Sequence, residues 1–245
     1  MRDPVPFCHA GFCEICNAEV EFRSDQVWFR DFLACPQCHS VPRERALMRV
    51  LKTHAPNYAA LKIHESSPCG RGISTHLASV CRDYSYSHYF PDVPFGRRHP
   101  TRKERCESLE ALTFADASFD LIVTQDVMEH VLDPAAAFRE INRVLRPGGM
   151  HVFTVPIVNK AQPSAPRARR SPDGAIEHLK EAQYHGNPID AKGSLVTMDW
   201  GYDILRTIYN ETGMASTLVM IEDIDHGIRA EYIDVIVSRK PGGKR

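Results

Sequence analysis

Two cysteine pairs near the amino end, Cys13-x2-Cys16 and Cys35-x2-Cys38, stand eighteen residues apart, and five of the eight cysteines lie in the first forty residues. Paired CxxC steps at this separation are the pattern of a zinc centre in which each pair forms a tight knuckle. Four thiolates at about 2.3 Å around a tetrahedral Zn²⁺ leave no open position, so the expected centre is structural rather than catalytic. Unpaired buried thiols or a redox pair are the competing reading, and Cys8, His9 and His39 are substitute ligands. A second stretch, "KIHESSPCGRGISTH" at 62–76, has the look of a turn that grips a cofactor, although it holds only two glycines, Gly70 and Gly72. Taken alone, it reads equally well as an ordinary surface turn. The third group is made of candidate proton acceptors: His130 in "DVMEH", and His178, Tyr184 and His185 in "EHLKEAQYHGNPID"; the competing reading of Glu129-His130 is a structural hydrogen bond at a helix start. Histidine is the side chain most readily tuned to move a proton near neutral pH. His178 and His185 are seven apart, which on a helix is one face.

These residues need elements to hold them. The segment between the cysteine pairs, "NAEVEFRSDQVWFRDFLA", alternates enough for two short strands, and with the knuckles it reads as a zinc ribbon too small to fold without metal. A helix is expected from about Pro42 to His54, with Ala46, Leu47, Val50 and Leu51 on its apolar face and Arg43 and Arg45 on a solvated one. Beyond it, strand signals ("ALKIHES", "DYSYSHYF", "SFDLIVTQ", "MHVFTVP") alternate with helical ones ("GISTHLASVC", "DPAAAFREINRVL"). Asp133 and Pro134 mark the start of the second of these helices and "RPGG" its end. A further helix, "DWGYDILRTIYNETG", and two strands, "STLVMIED" and "EYIDVIVSR", follow. Alternation of this kind implies an α/β fold with a mostly parallel, Rossmann-like sheet covered on both faces, which binds ligands at the carboxyl ends of its strands. The expected organisation is a ribbon module over 1–45 and the sheet domain over 46–245. Residues 157–198, with Pro163, Pro166, Pro172 and Pro188, form a long insert, and loops of that length inside a compact domain are usually functional or disordered.

At 114–156, "FADASFDLIVTQDVMEHVLDPAAAFREINRVLRPGGMHVFTVP", the sequence resembles class I S-adenosylmethionine-dependent methyltransferases, closely over these residues and more weakly over roughly 60–240. The amino-terminal module resembles a ribbon fused to some such enzymes, including certain rRNA methyltransferases. The resemblance implies a cofactor site at the 62–76 turn. Glu65 takes the acidic position at the end of the first strand and Gly70 and Gly72 the loop, while Ser66, Ser67 and Pro68 replace the usual first glycine. S-adenosylmethionine carries no phosphate, so a turn less rich in glycine than a dinucleotide loop can serve. The resemblance also places Ser87 and His88 near the ribose hydroxyls, where relatives have an acid. Glu107, Ser108 and Leu109 fall near the adenine, and Gln125 and Asp126 line the crevice after the fourth strand. The resemblance makes 157–198, after the fifth strand, a substrate lid, and His185, His178, His130 and Tyr184 are the candidates for acceptor contact or base.

Hydrophobic residues make up 43% and charged residues 25% of the 245, with a net charge of −1. Nothing in this balance advertises nucleic acid or an anionic membrane. The start lacks the apolar core of a signal peptide and no run is long enough to span a bilayer, so the expected location is cytoplasmic. Methyl transfer onto an oxygen or nitrogen of a small molecule, such as a sugar or secondary metabolite, is the preferred reading. The alternatives are an RNA methyltransferase whose ribbon binds RNA, supported by Arg43, Arg45, Arg49 and the 167–170 cluster, and a non-catalytic cofactor-binding protein.

Overall fold

The computed structural model describes residues 6–187 and 189–243; Pro188 of the 157–198 segment lies outside the described residues. The chain opens with a hairpin, β1 (Phe7–Cys13) and β2 (Ala18–Ser24), paired antiparallel from Phe7–Ser24 to Cys13–Ala18. The first knuckle is therefore the turn of this hairpin. A short helix α1 (Phe29–Phe32) then leads to the second knuckle and to α2 (Pro42–His54). Only one strand lies between the cysteine pairs, not the two expected. The alternation that suggested a second strand belongs to α1 and its flanks, where tertiary packing overrides local pattern.

The sheet begins with β3 (Lys62–Ser66), α3 (Gly72–Val80), β4 (Asp83–His88), β5 (Arg105–Cys106) and β6 (Phe119–Gln125). It continues with α4 (Pro134–Val144) and β7 (Leu145–Thr154). Asp133 caps α4 by accepting a hydrogen bond from Ala136 N at 2.9 Å. The "RPGG" signal lies within the first residues of β7, where Gly148 takes φ +81° and the register against β6 shifts. Residues 157–198 contain short strands: β8 (Ala165–Pro166), β9 (Ala168–Arg170), β10 (Ile176–His178), β11 (Tyr184–His185), β12 (Ser194–Leu195) and β13 (Met198–Asp199). The chain closes with α5 (Ile204–Thr212), β14 (Ala215–Val219) and β15 (Val235–Arg239).

The seven-stranded sheet has the order β14-β15-β7-β6-β3-β4-β5, and β15 alone runs antiparallel to its neighbours. Strand order reverses beside β3, so the carboxyl ends of β3, β4 and β6 frame a crevice. Successive residues of β6 face opposite cores. Leu121 and Val123 join α2 and α3 on one side, while Ile122 joins α4 and α5 on the other. The first core also holds Cys13, Phe22, Leu33 and Cys35, so the ribbon and the sheet share one apolar cluster. The expected boundary at 45/46 falls inside α2, a single continuous helix.

Arg43 and Arg45 do not form a solvated face. Arg45 is fully buried, donates to the carbonyls of Ser40, Leu33 and Gly227, and lies 4.5 Å from the centre of the Phe22 ring. Burial lowers its pKa to about 10, which leaves it charged at neutral pH. Charge was the signal for exposure in the sequence, but a guanidinium with five donors can be satisfied inside by carbonyls.

Candidate functional site

Glu65, on β3, is fully buried and braces the crevice floor. Its Oε1 accepts from Ser74 Oγ at 2.6 Å and Gln125 Nε2 at 2.8 Å, and its Oε2 from Tyr84 Oη at 2.7 Å. Burial raises its pKa, against the lowering effect of these three donors. The loop beyond it closes on β4 through Ser67 N, which donates to Ser87 O at 2.7 Å, with Ser67 at φ +58°. Gly70, at φ +69°, is exposed, and a Cβ there would meet nothing within 4 Å. Gly72 differs. It is buried at φ +51°, and a Cβ would lie 2.5 Å from Glu44 Oε2. Its amide donates to Cys38 O at 3.0 Å, so the loop rests on the second knuckle.

Glu44 is the connecting residue. It is fully buried, accepts from Val41 N at 2.9 Å at the start of α2 and from the Cys69 thiol at 3.0 Å, and pairs with Arg71 at 3.2 Å. Its place three residues after the helix N-cap was the only sequence signal for it. Asp126, just after β6 at φ +51°, is clamped by the amino-terminal module. Arg30 Nη2 lies 2.6 Å and Arg43 Nε 2.9 Å from its Oδ2, and Thr154 Oγ1 donates to its Oδ1 at 3.1 Å. Burial alone would raise the Asp126 pKa; the two guanidiniums outweigh it and hold the carboxyl below its usual range. No local pattern marked Arg30 as its partner.

The residues expected near ribose and adenine have partners of their own. Ser87 Oγ lies 2.9 Å from His64 Nε2. His88 is buried at the end of β4, and its Nδ1 is a buried atom with no hydrogen-bond partner. Glu107 accepts from Arg105 Nε and Thr113 Oγ1, both at 2.6 Å; Ser108 Oγ accepts from Glu110 N at 3.2 Å; and Leu109 packs in the α4–α5 core.

The expected acceptor residues divide. His178 lies exposed on β10, paired with Ala168 on β9, and Tyr184 is 54% exposed. The stretch carrying His178 and His185 is not a helix, so the two do not share a face. His185 instead arrives on the β11–β12 hairpin, paired with Ser194, and its Nδ1 lies 3.7 Å from Glu129 Oε1. His130 Nε2 lies 3.7 Å from the same oxygen, while its Nδ1 is 2.8 Å from Leu195 O. Glu129 and His130 therefore do not form the structural hydrogen bond that the sequence suggested. Both carboxylate oxygens of Glu129 are buried without a hydrogen-bond partner. Thr197 N donates to Glu129 O at 2.7 Å, Thr197 Oγ1 to Val131 O at 2.6 Å and Trp200 Nε1 to Met128 O at 3.2 Å, stapling this loop to the end of the 157–198 segment.

At the ribbon, the Cys13–Cys38 and Cys16–Cys35 sulfurs lie 3.8 and 3.6 Å apart, and all four fall within 4.8 Å of one another. Bonds of about 2.3 Å to a tetrahedral ion require sulfur separations of about 3.8 Å. Contacts from Cys35 and Cys38 push the Cys13 thiol well below its ordinary pKa, while burial and the neighbouring sulfurs raise Cys16, Cys35 and Cys38, so without a cation the cluster favours a single thiolate.

The fold and crevice define an α/β protein with a mostly parallel seven-stranded sheet that opens at the carboxyl ends of its strands. Residues 69–153, from the loop after β3 into β7, match the family described as "Methyltransferase domain". Short segments resemble curated proteins: 46% identity over 46 residues to a ubiquinone biosynthesis O-methyltransferase of Parvibaculum lavamentivorans, and 46% over 50 residues to a dimethylglycine N-methyltransferase of Parasynechococcus marenigrum. These matches cover 19% and 20% of this chain and 18% of each relative, so the chain spans about a fifth of their length. Among solved structures, an S-adenosylmethionine-dependent methyltransferase from Mesorhizobium loti aligns over 80% of this chain and 98% of its own, at 16% identity and a TM-score of 0.48.

Proposed function

We propose that the chain is an S-adenosylmethionine-dependent methyltransferase that moves a methyl group by in-line displacement onto an oxygen or nitrogen of a small molecule. The observation that carries this reading is the coincidence of the methyltransferase-domain match with the loops at the carboxyl ends of β3, β4 and β6. The residues present fit the cofactor. Gly70 faces open space, and the unpartnered His88 Nδ1 offers one polar contact, suited to a ribose hydroxyl. Ser67, Gly70 and Gly72 would supply the loop, with Glu65 and Gln125 bracing it from below.

When bound, the cofactor supplies a methyl group already activated on a sulfonium, so the protein chiefly aligns the acceptor. Residues 157–198 lie over the loop after β6 and deliver His185 beside Glu129 and His130. That cluster is the group placed to help an acceptor hydroxyl or amine lose its proton. The amino-terminal module reads as structural: a Zn²⁺ held by Cys13, Cys16, Cys35 and Cys38 would fix the knuckle on which Gly72 rests. An RNA acceptor has less support, because most of the arginines that would serve it are paired within the chain and only Arg169 and Arg170 are largely exposed. Arg49 pairs with Glu14 and Asp223, Arg43 with Asp126, Arg167 with Asp199 and Arg169 with Glu177. Among the described residues no helix is long and apolar enough to cross a membrane. The test is incubation with methyl-labelled cofactor and a cell extract. Label in the small-molecule fraction is expected; label in RNA would replace the acceptor class, and absence of cofactor binding by calorimetry would end the reading.

A further inference from the structure

Glu129 presents an unsolved electrostatic problem. Its carboxylate is buried, with 2% of the side chain exposed, and neither oxygen has a hydrogen-bond partner. An unpaired buried charge of this kind is costly unless a cation or donors answer it. The two side chains facing it do not answer it by direct hydrogen bonds, because both stand 3.7 Å from Oε1, beyond hydrogen-bond range. His130 is further constrained. Its Nδ1 lies 2.8 Å from Leu195 O, a carbonyl that can only accept, so Nδ1 carries a hydrogen and a neutral ring leaves a lone pair on Nε2. The second-row partner of a metal-bound histidine typically sets the tautomer in this way.

The geometry points to a divalent transition-metal site formed by the Glu129 carboxylate, His130 Nε2 and His185 Nδ1. The three donor groups lie within 4.8 Å of one another. Bonds of about 2.0–2.1 Å in a tetrahedral arrangement set donor separations of about 3.4 Å, so the 3.7 Å edges need to contract by only a few tenths. Two imidazoles and one carboxylate suit Zn²⁺ and its first-row neighbours rather than Mg²⁺ or Ca²⁺. Three protein ligands leave at least one open position, unlike the closed four-cysteine centre. Because the loop follows β6 at the crevice, the ligand fitted to that position is an oxygen of the methyl acceptor. This last step rests on the methyltransferase reading; the metal site does not.

The fold builds the site from two directions. Glu129 and His130 are fixed by the Thr197 and Trp200 staples, and His185 is brought in by the β11–β12 hairpin. Gly193 makes that hairpin possible. It sits at φ +84°, and a Cβ there would lie 2.4 Å from His185 O.

The test is a Zn²⁺ competition titration of the full chain against a chromophoric chelator, with neither cofactor nor acceptor present. Two tight equivalents are expected in the wild type, one at the cysteines and one here. His185→Ala, at a half-exposed position, and Glu129→Gln should each weaken one equivalent by about a hundredfold or more and leave the other intact. Circular dichroism melts identify any variant that fails to fold, and His185→Ala decides alone if Glu129→Gln does. A single equivalent in the wild type, or a second one unchanged in His185→Ala, overturns the site. Failure of methyl transfer with two equivalents bound would instead fault the functional reading.

Discussion

Replacing Asp126 by Asn tests whether the carboxylate after β6 belongs to the protein's own scaffold or to its ligand. Asp126 Oδ2 lies between Arg30 and Arg43, whose side chains are only 10% and 14% exposed. The substitution keeps shape but removes the better-buried of the two carboxylates shared by both guanidiniums, the other being Asp31 at 3.4 Å from Arg30 and 2.7 Å from Arg43. Breaking a buried pair by removing one partner costs about 3–5 kcal/mol. The lower end applies, because Asp126 retains 16% of its side-chain exposure and Arg43 keeps Asp31 at 2.7 Å as a second partner. For a chain of this size each kcal/mol moves the melting temperature by about 2–4 °C, so a fall of about 6–12 °C is expected. Thermal and urea melts of Asp126→Asn, Arg43→Met and the double variant form a cycle. Their coupling should be about 1 kcal/mol or more, since the double variant leaves fewer unpaired charges. A melting temperature within 1–2 °C of wild type, together with a large loss of cofactor affinity, would refute the scaffold role and return Asp126 to the cofactor.

Acid should destabilise the fold well above the usual carboxylate range. Burial holds His64 and His151 to a pKa of about 3, with Arg105 adding to the effect at His64. The unfolded chain takes up protons at both from about pH 6.5 downward while the native state does not, so stability present above that pH falls by about 2.7 kcal/mol per unit as pH drops towards 3; urea midpoints across pH 4–7 check this, and a flat profile would contradict it. If Zn²⁺ sits at the four-cysteine cluster as proposed, stripping it, or Cys35→Ser, should lower a single cooperative transition rather than release an intact sheet domain, because Cys13 and Cys35 share the apolar cluster of β3 and β6; calorimetry showing two separate transitions would count against it. Gly72→Ala should cost about 1–3 kcal/mol, from a positive φ and a 2.5 Å approach to Glu44. Glu44→Gln would not relieve that clash, so its combination with Gly72→Ala should show no rescue in chemical melts. Gly193→Ala removes no donor atom yet should weaken Zn²⁺ at the Glu129 site by displacing His185, a change visible in the same chelator titration.

Local rules carried the reading furthest where they suffice. Asp133 before Pro134 announced α4 and its cap, and the cysteine spacing announced a cluster that the fold closes to tetrahedral distances. The alternation of strand and helix gave the parallel sheet, because each element must bury one face. Partners distant in sequence were not legible. Arg43 and Arg45 read as solvated because charge is a proxy for exposure only on average, and here Asp126 and Gly227 O, far along the chain, receive them. Gly72 looked like a crevice glycine, yet the neighbour that demands the absence of a side chain is Glu44. His185 was singled out for its chemistry, but its meeting with Glu129 depends on a hairpin whose two strands are two residues each, too short for any periodicity to register.

That hairpin divides the protein's labour unevenly. Glu129 is locked to a sheet whose amides should exchange with solvent only on global unfolding, while Tyr184, His185 and their neighbours lie largely in water and contribute little to folding free energy. Apart from His185 and Gly193, substitutions in this hairpin can therefore accumulate without endangering the scaffold, and on the proposed methyltransferase reading divergence in the choice of acceptor, natural or by directed evolution, is expected to concentrate there.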